Sequence, residues 1–149
     1  GKIDSVQVIY NIFDQNPEDD LFPACREMDV AVIARVPFDE GTLTGTLTKD
    51  TTFPADDWRH GYFTHENLIP SVDRAEALRS LIPDGSSMAE LALRFILSEP
   101  TVSTIIPGMR KIGNVESNIA ASDAGPLPAD LIKQLRPHRW VRKPARWSD

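Results

Sequence analysis

Apolar and polar positions along the chain fall into two kinds of block. Residues 6–10 (Val-Gln-Val-Ile-Tyr), 30–36 (Val-Ala-Val-Ile-Ala-Arg-Val) and 102–106 (Val-Ser-Thr-Ile-Ile) are short runs rich in β-branched side chains, and such runs predict strands. The second is apolar almost throughout, the pattern of a strand covered on both faces in a parallel sheet flanked by helices. Pro37 ends it, because proline cannot donate to a ladder. Between the strands the period lengthens. Residues 21–28 predict a short helix. After His65, the residues Leu68, Val72, Ala75 and Ile82 fall near one helical face until Pro83-Asp84-Gly85 breaks it. Ser87-Met88-Ala89-Glu90 reads as a capping box, after which Met88, Leu91, Ala92 and Phe95 recur at helical spacing up to Pro100. Val115, Ile119 and Ala120 mark another helix, and a last one runs from about Pro128, suited to a first turn, to Arg136. A turn-rich loop covers 11–20, and a long loop with Gly41, Gly45 and several threonines covers 38–62.

The order βαβααβαα implies right-handed parallel crossovers. Two architectures satisfy it: an open doubly wound sheet, or part of a (β/α)8 TIM barrel. No G-x-G-x-x-G turn follows the first strand, which weighs against a dinucleotide-binding doubly wound domain. Barrel sites lie at strand C-termini, with phosphate held by the last two βα loops. The last strand here runs into Ile105-Ile106-Pro107-Gly108-Met109-Arg110-Lys111 and then a helix carrying Asn114 and Asn118. Cations at a helix N-terminus oppose the macrodipole unless an anion sits between them. The junction therefore reads as a phosphate site, and equally as a pair of solvated surface cations. The barrel places such a site where this loop falls, and is the expected fold.

Composition narrows the setting. The 149 residues, 41% hydrophobic and 26% charged, fit one soluble domain. No apolar run reaches the length of a membrane span and no signal-peptide pattern is present. The chain begins Gly-Lys-Ile-Asp without an initiator Met, and reads as a processed, trimmed or partial product. A single cysteine, Cys25, excludes an internal disulfide and suits a reducing, cytoplasmic compartment; it is expected half-buried on its short helix. The net charge of −6 hides a basic C-terminal tail, residues 132–149, against an acidic body. That tail, with Trp140 and Trp147, is expected to pack over the acidic body through Trp and Arg contacts, not to bind nucleic acid. His60, His65 and His138 lack metal-ligand spacing, and no Gly-x-Ser-x-Gly or Ser-His-Asp arrangement appears.

Taken in order, Val6-Gln7-Val8-Ile9-Tyr10-Asn11, Pro37-Phe38-x-x-Gly41-x-Leu43-Thr44-Gly45, Asp57-Trp58-Arg59 and Ile106-Pro107-Gly108-Met109-Arg110 with Asn118 resemble the aldo-keto reductases. The likeness runs from the first residues to about Leu135 and corresponds to the C-terminal half of that barrel, strands six to eight with their helices. It implies an NADPH-dependent reduction of aldehydes or ketones to alcohols. Gln7, at a strand end, would hydrogen-bond the nicotinamide carboxamide, since an amide offers both donor and acceptor. Arg35 stands where many members place an aromatic stacked on the nicotinamide, and a guanidinium plane can stack as well. Val36, Pro37, Phe38, Gly41 and Leu43 resemble the loop over the pyrophosphate, where glycine lets backbone approach phosphate closely; Asp39 and Glu40 would then point outward. Gly108, Met109 and Arg110 match the loop gripping the adenosine 2′-phosphate, with Lys111 assisting. Asn114 and Asn118 follow on the next helix, Asn118 reading the adenine edge.

The family's Tyr, Lys, Asp and His tetrad has no matching positions here, so the chain holds no catalytic residue and should be inactive alone; Tyr10 is expected in the core. Three parallel strands would leave two edges and an inner face uncovered. The chain is accordingly expected to pair with the N-terminal half of the barrel or with itself, and to act on a small-molecule carbonyl substrate once complete. The rival reading is a non-catalytic half-barrel module for nucleotide binding or assembly. The segment Asp56-Asp57-Trp58-Arg59-His60 either borders the pocket or forms a surface turn.

Overall fold

A computed structural model of the chain describes residues 2–141. Three strands, β1 (Ser5–Ile9), β2 (Ala31–Arg35) and β3 (Val102–Ile105), form one parallel sheet in the order β1-β2-β3. The helices are α1 (Leu21–Met28), α2 (Arg59–Tyr62), α3 (His65–Ala77), α4 (Met88–Leu97), α5 (Ile112–Asp123) and α6 (Ala129–Leu135). The alternation expected from the sequence is present, with two additions in the long loop: a 3-10 turn (Asp39–Thr44) and the four-residue α2. The helix expected to run to Pro83 stops earlier, at Ala77. There Leu78 is fully buried and its amide bonds Ala75 O at 3.0 Å, drawing the chain into a 3-10 turn, Arg79–Leu81.

Local signals explain the ends. At α4 the Ser87 hydroxyl accepts from the Glu90 amide at 3.0 Å, satisfying a first-turn donor. The Glu90 carboxylate does not return to Ser87; it accepts from Ser86 Oγ at 3.1 Å and Arg94 Nη1 at 3.0 Å. One arm of the capping box is formed, and the other is replaced by an ion pair along the helix. Helix α1 closes with Asp29 in the left-handed region (φ 55°) and the Val30 amide on Cys25 O at 2.9 Å, the usual way of satisfying last-turn carbonyls.

The core lies on one face of the sheet. Val6, Val8, Val32, Ala34, Val102 and Ile105 pack with Phe22 and Cys25 of α1, Leu91, Ala92, Phe95 and Ile96 of α4, and Leu135 of α6. Tyr10 sits among them, its ring 4.9 Å from that of Phe22 and 5.8 Å from that of Phe95. Cys25 is only 4% exposed, fully inside and not half-buried as expected, because the helix turns it under β2. A bulge at Ser103 separates the pairs Val32–Val102 and Ile33–Thr104, and the Val32 amide bonds Ser103 Oγ at 3.2 Å.

The other face is bare. Alternation sends Ser5, Gln7 and Ile9, Ala31, Ile33 and Arg35, and Thr104 to that side, where each is partly or fully exposed. The apolar run of β2 suggests cover on both faces; within this chain it has cover on one. A smaller cluster of Tyr62, Phe63, Leu68 and Val72 with Leu47 and Phe53 stiffens the long loop. At the C-terminal end Trp140 packs edge-on against Phe13, Arg74 lies 4.4 Å over the Trp140 ring, Arg139 clasps Asp19 (Nη1–Oδ1 2.8 Å) and Arg136 pairs with Glu18. The tail thus lies over the acidic segment as expected as far as Val141; Trp147 and its neighbouring cations fall outside the described residues. No helix among the described residues is long and apolar enough to cross a membrane.

Candidate functional site

Because the strands are parallel, their C-terminal loops leave from one edge of the sheet. The first two are tied together by Asn11, to which the sequence motifs assign no role of its own. Fully buried, it donates from Nδ2 to Val36 O at 3.0 Å and accepts at Oδ1 from the amides of Phe13 (2.9 Å) and Asp14 (3.0 Å). Its position just past an apolar strand is the signal that points to it, since Asn often closes turns through its side chain.

The tie holds a strained segment. Val36 has φ 55°, rare for a β-branched residue, and Asp39 (50°), Glu40 (57°) and Gly41 (110°) follow in the same half of the map. The amides of Gly41 and Leu43 both bond Phe38 O, at 3.0 and 2.9 Å. Pro37 and Leu43 are buried and Phe38 packs on the core, so these three anchor the loop and present backbone. The acidic pair departs from expectation. Asp39 is 3% exposed and Glu40 lines a cleft; neither points outward, because the run of positive φ angles curls the chain inward.

That cleft, of about 630 Å³, is lined by Glu40, Pro54, Asp56, Asp57, Trp58, Arg59 and Arg110. It joins the loop after β2 to the loop after β3, and Asp56 to Arg59, the first two of which lie in a turn, form part of its wall. Asp57 organises this wall, accepting from Arg59 through Nε–Oδ1 (3.0 Å), Nη2–Oδ2 (2.5 Å) and the Arg59 amide (2.9 Å). The Arg59 guanidinium foremost, then its amide, with the Arg110 charge as a smaller contribution, hold the Asp57 carboxyl down at about 2. Arg59 also lies 4.7 Å over the Phe53 ring. Trp58 is 57% exposed, with its ring 5.8 Å from that of Tyr62. Arg110 is exposed and makes no ion pair among the described residues.

A carboxyl lowered on folding adds stability above its unfolded pKa and loses it as pH falls through the folded value. The Asp57–Arg59 clasp is thus expected to stay closed from neutral pH into the acid range and to open near pH 2. An NMR titration of the Asp57 carboxyl carbon should show that midpoint; a midpoint at the ordinary 3.8 would mean the clasp does not persist in solution.

The remaining residues are distributed as follows. Gly108 and Met109 are exposed in the loop after β3, and Lys111 sits at the N-cap of α5 with no side-chain cap. Asn114 is exposed in the first turn. Asn118, one turn on, donates to Gly108 O at 3.3 Å and lines a separate hollow of about 270 Å³ with Met109, Thr104 and Ile119. Arg110 and Asn118, expected around one ligand end, therefore open into different hollows, because Asn118 turns back on its own loop. Gln7 lies mid-strand, in register with Ile33, and not at the strand end expected. Arg35 is the last residue of β2, opposite Ile9 on the same bare face as Gln7. The Tyr10 hydroxyl donates to Glu18 Oε1 at 2.6 Å, and burial holds it far above the ordinary tyrosine range; it is a core residue, as expected. Among the described residues no group of three or more His, Cys, Asp or Glu side chains is placed to hold a metal ion.

A family model, that of the aldo/keto reductase family, matches residues 1–139. The chain is 30% identical over 138 residues to the NADH-specific methylglyoxal reductase of Escherichia coli K12, covering 91% of this chain and 42% of that protein. It is 24% identical over 145 residues to the aldo-keto reductase yakc [NADP(+)] of Schizosaccharomyces pombe, over 90% of this chain and 41% of that one. The glycerol dehydrogenase AKR11B4 of Gluconobacter oxydans superposes with a TM-score of 0.78 at 26% identity, covering 90% of this chain and 41% of its own. The holo form of the aldo-keto reductase AKR11C1 from Bacillus halodurans gives 0.69 at 25% identity, over 99% and 45%. The chain thus spans about two fifths of the length of the curated relatives it matches.

Proposed function

The chain belongs to the aldo/keto reductase family, and we propose that it is the cofactor-binding half of a (β/α)8 oxidoreductase that reduces aldehydes or ketones to alcohols with NADPH. The observation that carries the reading is the cleft in which Arg110, without an ion pair among the described residues, faces the strained, glycine-bearing loop after β2. A guanidinium offers a forked set of donors matched to phosphate oxygens. Gly41 fits a close approach by phosphate, since a Cβ built there meets nothing within 4 Å. The two relatives named above divide between NADH and NADP(+); Arg110 with Lys111 beside it is what favours the phosphorylated form here.

When bound, the reduced nicotinamide supplies hydride to the carbonyl carbon. Gln7, exposed on the bare face, would orient its carboxamide, and Arg35 at the end of the neighbouring strand would lie against the ring. Residues 36–45 would meet the pyrophosphate through backbone, with Pro37, Phe38 and Leu43 holding that backbone rigid. Asn114 would flank the adenine, and Asn118 would join it only on releasing its bond to Gly108 O. Tyr10 is buried and hydrogen-bonded to Glu18, so it does not serve as the proton donor for the carbonyl oxygen. That role falls to the remainder of the barrel, and the bare face with the outer edges of β1 and β3 is where the remainder, or a second copy, would add strands. A buried single cysteine suits a reducing cytoplasm.

Titration of the chain with NADPH and NADH, followed by tryptophan fluorescence, tests the reading. Saturable binding tighter for NADPH is expected; a flat response to both would overturn it. Size exclusion tests the association: a folded, strictly monomeric chain that gains no partner on mixing with the N-terminal half would contradict it.

A further inference from the structure

Resting on the reading of the cleft as the seat of a dinucleotide's adenosine end, we propose that Glu40 is its specificity-determining residue: its carboxylate accepts from ribose hydroxyls and opposes a 2′-phosphate. Glu40 thereby counterweights Arg110, and the site takes NADH as well as NADPH.

Two independent observations lead there. The first is conformational. Glu40 has φ 57° and ψ 17°, a left-handed backbone that is strained for a residue bearing a side chain and that glycine adopts freely. The following residue is glycine, so the turn does not lack a permissive position; a carboxylate is kept at a place where the backbone disfavours any side chain. Strain of this kind gathers where a side chain has work at a site.

The second is charge. The cleft holds three carboxylates, Glu40, Asp56 and Asp57, and two guanidiniums, Arg59 and Arg110. Asp57 and Arg59 satisfy each other. Beyond that pair the wall carries Arg110 against Glu40 and Asp56, and is one charge negative on balance. A 2′-phosphate is nearly doubly charged at neutral pH, and repulsion from Glu40 subtracts from what Arg110 contributes. A ribose bearing plain hydroxyls meets the opposite situation, for a carboxylate is a pure acceptor and the hydroxyls donate. Acid for hydroxyl and arginine for phosphate is the discrimination used in dinucleotide sites of unrelated fold; this cleft carries both.

The lining residues all belong to this chain, so two fragments of the cofactor probe the cleft without the nicotinamide half: adenosine 2′,5′-bisphosphate and adenosine 5′-monophosphate. The full chain is titrated with each, reading the exposed Trp58, alongside Glu40→Gln, Glu40→Gly and Arg110→Met. Both Glu40 variants should tighten the bisphosphate roughly five- to twentyfold and weaken the monophosphate roughly tenfold, through the lost hydroxyl-to-carboxylate bonds. Glu40→Gly relieves the backbone, so agreement between the variants separates charge from folding. If Arg110→Met weakens the bisphosphate but neither Glu40 variant alters the ratio of the two probes, the cleft reading stands and the role of Glu40 falls. If Arg110→Met leaves both probes untouched, or neither probe binds the unaltered chain, both readings fall.

Discussion

Replacing Arg110 with Met in the complete enzyme weakens NADPH by roughly ten- to a hundredfold and changes NADH by less than about threefold. The magnitude follows from the hydrogen bonds that a guanidinium makes and a thioether does not. A hydrogen bond to a charged partner contributes about 1.5–3 kcal/mol, and a guanidinium meeting a phosphate makes such bonds in pairs. Arg110 suits the role because no ion pair among the described residues occupies it: the nearby Asp57 is already clasped by Arg59, and the Arg110 charge reaches it only through space. Lys111 sits next along the chain at the helix N-cap, so some phosphate affinity survives. Met keeps the apolar stem of the side chain, isolating the charge. Dissociation constants from cofactor fluorescence decide the matter; equal losses for both cofactors would remove the 2′-phosphate role.

Phe95→Ala is expected to cost about 3–5 kcal/mol of stability, the range for emptying a fully buried aromatic site, out of the roughly 5–15 kcal/mol a domain typically has. Phe95 is 1% exposed on α4, and its ring lies 5.8 Å from that of Tyr10 with the Arg136 guanidinium 5.7 Å above it. These neighbours bind the helix layer to the loop after β1, since Tyr10 and Arg136 both engage Glu18. Removing the ring opens a cavity at the junction of three elements that cannot collapse together. Urea denaturation of the variant and the parent measures the loss, and a difference below about 1 kcal/mol would show the junction to be looser than its packing implies.

Much of this is legible in the sequence for a plain reason. Where a residue's burial follows a period, the pattern announces it: the bounds of α1 agree with the sequence expectation, and each strand ends within one residue of its expected limits. Residues 36–62 have no such period. Their order depends on Phe53, Leu47, Tyr62 and Phe63 meeting from irregular spacings, and on left-handed backbone at Val36, Asp39 and Glu40, where propensity rules anticipate glycine. The cleft escapes the sequence for the same reason: Asp57, Arg59 and Arg110 become neighbours only once the loop has folded. Strand β2 misleads differently. Its apolar residues imply cover on both sides, yet side-chain type records that a face is to be covered, not which chain segment covers it. The family motifs locate the backbone loop and Arg110, but do not reveal that Asn118 bonds its own loop, because a motif does not specify a side chain's rotamer.

The sheet's order also bears on how it assembles. Val32 and Val102, paired across β2 and β3, lie seventy residues apart in the chain, against twenty-six between Ser5 and Ala31 on β1 and β2. Loop-closure entropy grows only with the logarithm of length, so the longer excursion costs about 0.9 kcal/mol more. A single buried leucine or phenylalanine on α4 offsets that. Distance along the chain is therefore a small term in the stability of the β2–β3 pairing; the burial of Leu91, Phe95 and Ile96 of α4 against the sheet is the larger one.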